Sequence, residues 1–266
     1  MSPMQLARRV EALAGRRCRL ERLRIALADG ARTTVHVVSF EAGALMPRVV
    51  AFEQPQPLAR WCRRNGVRHA VVGGFFARPQ YEPLGELRVG GEQKLSVAFD
   101  EPWGSLRACV QVTDGRLRIA RRDELAAEAA GDLLQAGPLL VSGGMSAIGT
   151  DDLEGFSAGS HQFDSDITLG RYPRAALAIA GSRVLAVACD GRTQRDAGMT
   201  LAELADMLVK LGSSDALNLD GGGSASLVHS GRLRNRPRDE HGVDILGGRA
   251  VVTAIVFEAL RGPSSP

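Results

Sequence analysis

Short apolar runs broken by glycine turns dominate the pattern along the chain, and stretches of helical period are few. "RTTVHVVSF" alternates branched apolar with polar residues, "PRVVAF" does so again after a turn, and both predict strands. "QPLARWCRRNG" places Leu58, Trp61 and Cys62 on one helical face and predicts a helix ending near Gly66. A strand, "RHAVVGGFF", follows. "GELRVGGE", "KLSVAFD" and "RACVQVTDGRLRIA" read as strand-and-turn units, the last with Asp114-Gly115 as a hairpin signal. "DELAAEAAGDLLQAG" predicts a helix capped by Asp123, and "PLLVSGG" a buried strand. From Met145 to Ser165 the chain is polar and glycine-rich, a long loop of the kind that often serves as a lid.

The second half is more regular. "AALAIAGSRVLAVACDGR" predicts two strands joined at Gly181-Ser182, and "TLAELADMLVKLG" an amphipathic helix with Thr200 as N-cap and Glu203 completing a capping box. "DALNLD" is a strand, "SASLVHSGRLRN" a hairpin, "GGRAVVTAIVFEAL" a buried final strand, and "RGPSSP" a frayed tail. No solenoid repeat or composition break divides the chain. The expectation is one domain over residues 1–266 of the α+β class, with a mixed, largely antiparallel sheet core and flanking helices.

Composition narrows this picture only a little. At 266 residues and 44% hydrophobic content the chain can bury a sizeable core. Its net charge of +3 arises from 33 basic and 30 acidic residues in a mixed pattern, which gives no footprint for nucleic acid. Cys18, Cys62, Cys109 and Cys189 are scattered with no CxxC pair, so no zinc framework is visible, and none shows the histidine-paired setting of a nucleophile. No stretch has signal-peptide or membrane-spanning character. A cytoplasmic protein with reduced thiols follows as the expectation, with no cofactor, no metal, no membrane partner and no nucleic acid; homo-oligomerisation stays open.

Chemistry concentrates in "ALNLDGGGSASLV". Three consecutive glycines are entropically costly and need a local reason, such as positive φ or close approach of another group to the backbone. The stretch is neither a Walker loop nor GxGxxG. It reads as a strand ending in Asp220, then a turn through Gly221, Gly222 and Gly223 whose amides would form an anion nest, with Ser224 adding a hydroxyl. A plain glycine turn is the competing reading. A second strand end puts Asp190, Gly191 and Arg192 together, with the helix start at Gly198 to Thr200 offering further N–H donors. The acidic loop "GTDDLEGFSAGSHQFDSDITLG" brings His161, Asp164 and Asp166 close enough in sequence to ligate a divalent cation, although a solvated loop accounts for it as well. His36 and His69 fall within strand patterns, and His229 and His241 near the proposed cleft.

Several linked motifs in order carry a resemblance. "CDGRTQRDAGMTLAELADMLVKLGSSDALNLDGGGSASLV", followed by "NRPRD" and "GGRAVVTAI", resembles the signature half of the phosphodiester glycosidase family. "TTVHVVSF", "AVVGGFF", "LGELRVGGE" and "QAGPLLVSGG" are similar to its weaker blocks, so the resemblance covers about Arg32 to Glu258. It implies hydrolysis of a sugar 1-phosphodiester, or a related glycoside, at the anomeric carbon. It also implies a cleft surrounded by Gly73, Gly74, Phe75, Arg174, Asp190, Gly191, Arg192, Asn218, Asp220, Gly221, Gly222, Gly223, Ser224, Asn235, Asp239 and Arg249. On this basis Asp220 is the first choice for the catalytic carboxylate and Asp190 the second, with the others binding substrate. Where the family usually has asparagine this chain has Val72, and where it has Arg-Thr-Ala-Ile-Gly this chain has Ala175 and Ala178. Those departures keep open a noncatalytic carbohydrate- or phosphate-binding homologue; the acidic loop keeps open a metal-dependent phosphoesterase.

Overall fold

The computed structural model describes residues 18–149, Glu154 and residues 170–259. A seven-stranded sheet runs in the order β1 (Cys18–Ala26), β2 (Arg32–Glu41), β15 (Arg183–Cys189), β14 (Arg174–Ala180), β16 (Asp215–Asn218), β12 (Leu139–Ser142), β13 (Met145–Ser146). A five-stranded sheet holds β10 (Arg116–Arg121), β9 (Ala108–Thr113), β11 (Asp132–Gln135), β7 (Leu87–Val89) and β8 (Glu92–Gln93). Another holds β18 (Arg232–Leu233), β17 (Leu227–His229), β4 (His69–Val72), β19 (Ala250–Ala259) and β3 (Leu45–Pro57), and β5 (Phe76–Ala77) pairs with β6 (Glu82–Pro83). Every strand pairing is antiparallel.

The strand period assigns the layers. Along β2, Val35 and Val37 join one apolar cluster while Val38 and Phe40 join another; in β14, Ala176 and Ala178 face the first and Ala175 and Leu177 the second. The seven-stranded sheet is therefore buried on both faces, which is why β2 and β14 read as nearly continuous apolar runs. One face is covered by the helix Leu201–Lys210, through Leu201, Leu204, Ala205 and Leu208 at helical spacing. The other shares its core with the two five-stranded sheets, through residues such as Val71, Ile255, Val110 and Leu134.

Most predicted strands are present. The Asp114-Gly115 hairpin joins β9 to β10, with φ of 49° and 73°, as a two-residue primed turn requires. The helices are α1 (Leu58–Arg64), a single turn α2 (Trp103–Leu106) and α3 (Leu201–Lys210). The Thr200 cap of α3 forms as expected: its Oγ1 accepts from Glu203 N at 3.1 Å, and Glu203 Oε2 accepts from Thr200 N at 2.9 Å.

The helix expected over "DELAAEAAGDLLQAG" is a correction. Only a 3-10 turn at Arg122–Glu124 forms, and Asp132–Gln135 is strand β11 between β9 and β7. Leu133 and Leu134 are buried there, and the Asp132 carboxylate accepts from the backbone of Val49 and Gly90, so sheet packing overrides the local helix preference of the alanines and glutamates. With helix at 12% and strand at 48%, the class is mostly β rather than the α+β expected from sequence.

Candidate active site

The triglycine bend sits at a joint between sheets. Asp220 N donates to Gly73 O at 3.0 Å, beyond the end of β4, while Leu219 N reaches Ala175 O at 2.9 Å and Gly222 N reaches Pro173 O at 2.7 Å, at the start of β14. Each glycine has its own cause. A β-carbon on Gly221 would lie 2.9 Å from Pro173 O, and one on Gly223 would lie 2.7 Å from Ile245 Cδ1 and 3.1 Å from Arg249 Nη2. Gly222 has φ +58° and faces the Arg192 guanidinium, with Nη2 3.3 Å from the β-carbon position. Gly73 is pressed against Thr253 and Gly74 against Gln135 O and Leu134, and Thr253 Oγ1 accepts from Gly74 N at 3.1 Å, which holds the neighbouring strand end in place.

The anion nest expected from the glycine amides does not form. Gly221 N donates to Asp220 Oδ1 at 2.8 Å, Gly222 N to Pro173 O and Ser224 N to Gly221 O, which leaves only Gly223 N outside such a bond. At the start of α3 the capping box takes Thr200 N and Glu203 N, Met199 N pairs with Tyr172 O, and Glu203 adds a negative charge, which disfavours an anion there. The glycines serve close packing instead, and positive charge comes from side chains.

Arg192 and Arg249 supply that charge. Both guanidinium groups lie against the bend, at Gly222 and Gly223, and neither makes an ion pair among the described residues. Burial, followed by the field of Arg249, lowers the Arg192 pKa. Two like charges held together with no carboxylate bridging them are costly without an anionic ligand. Arg192 has φ +63° and is fixed by donation from Nη1 to Arg238 O at 2.9 Å, with its Cζ 5.6 Å from the Tyr172 ring centroid.

Asp220 faces this charge. Burial pushes its carboxyl up to about 6, against the opposing pull of the Ser224 side chain, the Gly221 amide, Arg249 and Arg78. Asp220, Gly221, Gly222, Arg192 and Arg249 all keep partial solvent contact while Gly223 and Ser224 are buried, so the bend is not sealed. Two surface cavities among the described residues, of about 700 and about 610 Å³, lie elsewhere, lined by residues such as Asp114 and Arg116 and by Glu86 and Arg122 respectively.

Other sequence candidates take supporting positions. Asp190 is buried, accepting from Arg236 N at 2.6 Å, with His36 Nε2 3.5 Å from its other oxygen, so its carboxylate anchors the 234–239 segment. Gly191 packs on Pro173, which also contacts Gly221, and so ties the two strand ends together. Arg174 is buried, donating to Met199 O and Gly170 O. Asn218 is buried and donates to Gly137 O at 3.2 Å; Asn235 braces the segment after Ser224 by bonding Leu227 N and Ala225 O. Asp239 caps the turn to Val243 and acts electrostatically on Arg192. Phe75 is buried beside Gly74. His161, Asp164 and Asp166 lie outside the described residues.

Sequence reading missed Arg78 and Tyr172. Arg78 follows the "GGFF" run by two residues and acts on Asp220 from outside any quoted motif. It also missed a histidine-paired cysteine, which corrects the view that no thiol has such a setting. Cys18, His69 and His229 converge at the far end of β4 from Gly73, so His229 is not near the bend. Burial raises Cys18 to about 11 and, with His229 and nearby arginines adding, lowers His69 to about 4.

Residues 65–258 match the phosphodiester glycosidase family profile. This chain belongs to the phosphodiester glycosidase family. Among solved structures, the phosphodiester glycosidase fold here is similar to zebrafish N-acetylglucosamine-1-phosphodiester alpha-N-acetylglucosaminidase, a catalytic domain auto-inhibited by its pro-peptide. The TM-score is 0.69 at 17% identity, over 92% of this chain and 85% of that one. A hypothetical protein from Synechocystis matches at TM-score 0.63 and 19% identity over 90% of this chain, which spans 62% of that protein's length. A Burkholderia pseudomallei protein provisionally described as exported matches at 0.64 and 15% identity, covering 86% and 74%. These identities speak to the fold alone. No functionally curated protein matches the sequence.

Proposed function

We propose that the protein hydrolyses a sugar 1-phosphodiester, or a closely related glycoside, at the anomeric carbon, with Asp220 as the catalytic carboxylate. The observation that carries this reading is the pair of guanidinium groups, Arg192 and Arg249, held without ion-pair partners against a glycine bend that begins with a partly exposed carboxylate. Family membership supplies the reaction class. Arg192 and Arg249, with Arg78 at the rim, bind the phosphodiester and stabilise the charge that develops on it as it departs. Phosphate is a good leaving group, so little general-acid help is needed. The demand falls on a base for the attacking water, or on a carboxylate that stabilises oxocarbenium-like charge. Asp220 meets it: Gly221 N and Ser224 fix its position, and with a pKa of about 6 it is ionised at neutral pH.

Two features favour this reading over its alternatives. Val72, Ala175 and Ala178 are fully buried in strands, so the departures from the family pattern alter the core and leave Asp220 and the arginines intact. The charged groups acting on Asp220 are cationic, which opposes a hard divalent ion there and disfavours metal-assisted P–O cleavage. The reading includes a reducing compartment, supported by four free cysteines; cell fractionation against periplasmic and cytosolic markers tests that element.

Kinetics on a panel of sugar 1-phosphodiesters test the proposal. Wild type is expected to release a phosphomonoester and free sugar, and Asp220→Asn to lose turnover while still binding. A panel that binds but is never cleaved by wild type would move the protein to a binding role.

A further inference from the structure

Three metal-binding side chains from three strands meet away from the Asp220 bend. Cys18 opens β1, His69 opens β4 and His229 closes β17. His69 and His229 are directly opposite in the antiparallel β4–β17 pair, so their side chains leave the same face. Cys18 comes from the edge strand of the seven-stranded sheet and reaches across to them.

The distances fit a single centre. Cys18 Sγ lies 3.8 Å from His69 Nδ1 and 3.7 Å from His229 Nδ1, and the two nitrogens are 3.1 Å apart. A tetrahedral ion bonded at about 2.3 Å to thiolate and about 2.05 Å to imidazole requires separations near 3.5 Å for S···N and near 3.3 Å for N···N. All three observed values fall within about 0.3 Å of those. A histidine–histidine hydrogen bond alone accounts for the short N···N distance. It does not account for a sulfur almost equidistant from both nitrogens, which a shared centre does.

We propose that Cys18, His69 and His229 bind one zinc-class divalent cation, with water as the fourth ligand, and that this ion staples β1 to the sheet containing β4 and β17. On binding, the thiol proton is released and the thiolate coordinates, while both imidazoles bind through Nδ1 and keep their proton on Nε2. One thiolate and two imidazoles, with no oxygen ligand from the chain, select zinc over magnesium or calcium. Arg68 and Arg234 act on His69 from nearby, so the thiolate charge is needed to hold a cation there. His69 is four residues before Gly73, about 13 Å along a strand, which makes the ion a structural element rather than part of the Asp220 chemistry. The three ligands lie 51 and 160 residues apart, which hid them from any spacing motif.

The test uses tag-free, full-length protein stripped with a chelator. Zinc is expected to bind at one equivalent per chain and raise the unfolding temperature, while magnesium does neither. Cobalt in its place gives visible d–d bands and a thiolate-to-cobalt charge-transfer band. Cys18→Ser and His229→Gln each weaken zinc binding by at least about tenfold, and the first removes the charge-transfer band. Because Cys62, Cys109 and Cys189 are buried, zinc also protects Cys18 from a thiol reagent in wild type, read by peptide mass, so the proposal stands testable even if a variant fails to fold. Absence of the charge-transfer band in wild type, zinc that leaves Cys18 alkylation unchanged, or binding undiminished in both variants overturns it.

Discussion

At the scale of single residues, Asp220 is in tension with its surroundings. Its folded pKa of about 6 stands above the ordinary carboxyl value of 3.8, with burial as the largest cause. A raised carboxyl pKa means the folded state holds the proton more tightly than the unfolded chain. Its stabilising effect is complete below about pH 4 and is lost as pH rises through about 6. Asp220→Asn removes that loss. It is expected to be more stable than wild type at pH 7, by about 1 kcal/mol once residual solvent contact is allowed for, with the difference vanishing near pH 4; urea melts at the two pH values check this. If Asp220 acts as proposed, the same variant is expected to lose turnover, a trade of stability for activity. In wild type, kcat/KM should rise with an acid limb near pH 6, where Asp220 ionises. Arg249→Ala and Arg192→Ala should each raise KM by roughly tenfold or more through loss of a charged hydrogen bond to phosphate, measured by steady-state kinetics. Gly222→Val places a branched side chain at φ +58° and against Arg192, so it should lower both stability, by about 1–3 kcal/mol, and substrate affinity.

At the scale of elements, legibility followed how local each cause was. The α3 capping box depends on Thr200 and Glu203 alone, and the β9–β10 turn on Asp114 and Gly115, so both could be read from the sequence. Thr200→Ala should cost about 1 kcal/mol in thermal or urea unfolding, since it frees Glu203 N at the helix start. Strand β11 was misread because its reasons lie in β9, β7 and the backbone of Val49 and Gly90. Of the two readings the sequence leaves open for the triglycine bend, anion nest or plain turn, the hydrogen bonds favour the turn. The choice between amides turned outward and amides spent on Pro173 and Asp220 depends on a strand start some 50 residues earlier, which no local pattern encodes. Arg174 and Asp190 likewise stand in family motifs, yet internal partners engage them: the carbonyls of Met199 and Gly170 for one, Arg236 N and His36 for the other.

At the scale of the whole molecule, the proposed site lies where the sheets meet. The apolar face of the seven-stranded sheet and the two smaller sheets share one core, and the Asp220 bend crosses its rim by hydrogen bonds to Gly73 on one side and to Pro173 and Ala175, through its neighbours, on the other. A frame of packed sheets around a partly buried carboxylate and two arginines that make no ion pair among the described residues suits, in the proposed reaction, a phosphodiester whose sugar carbon must be presented to water. The decisive measurement is hydrolysis of sugar 1-phosphodiesters in heavy-oxygen water, with the products resolved by mass. Cleavage at the anomeric carbon predicts the label in the free sugar and none in the phosphomonoester. Label in the phosphate, or no hydrolysis of any substrate in the panel, would contradict it.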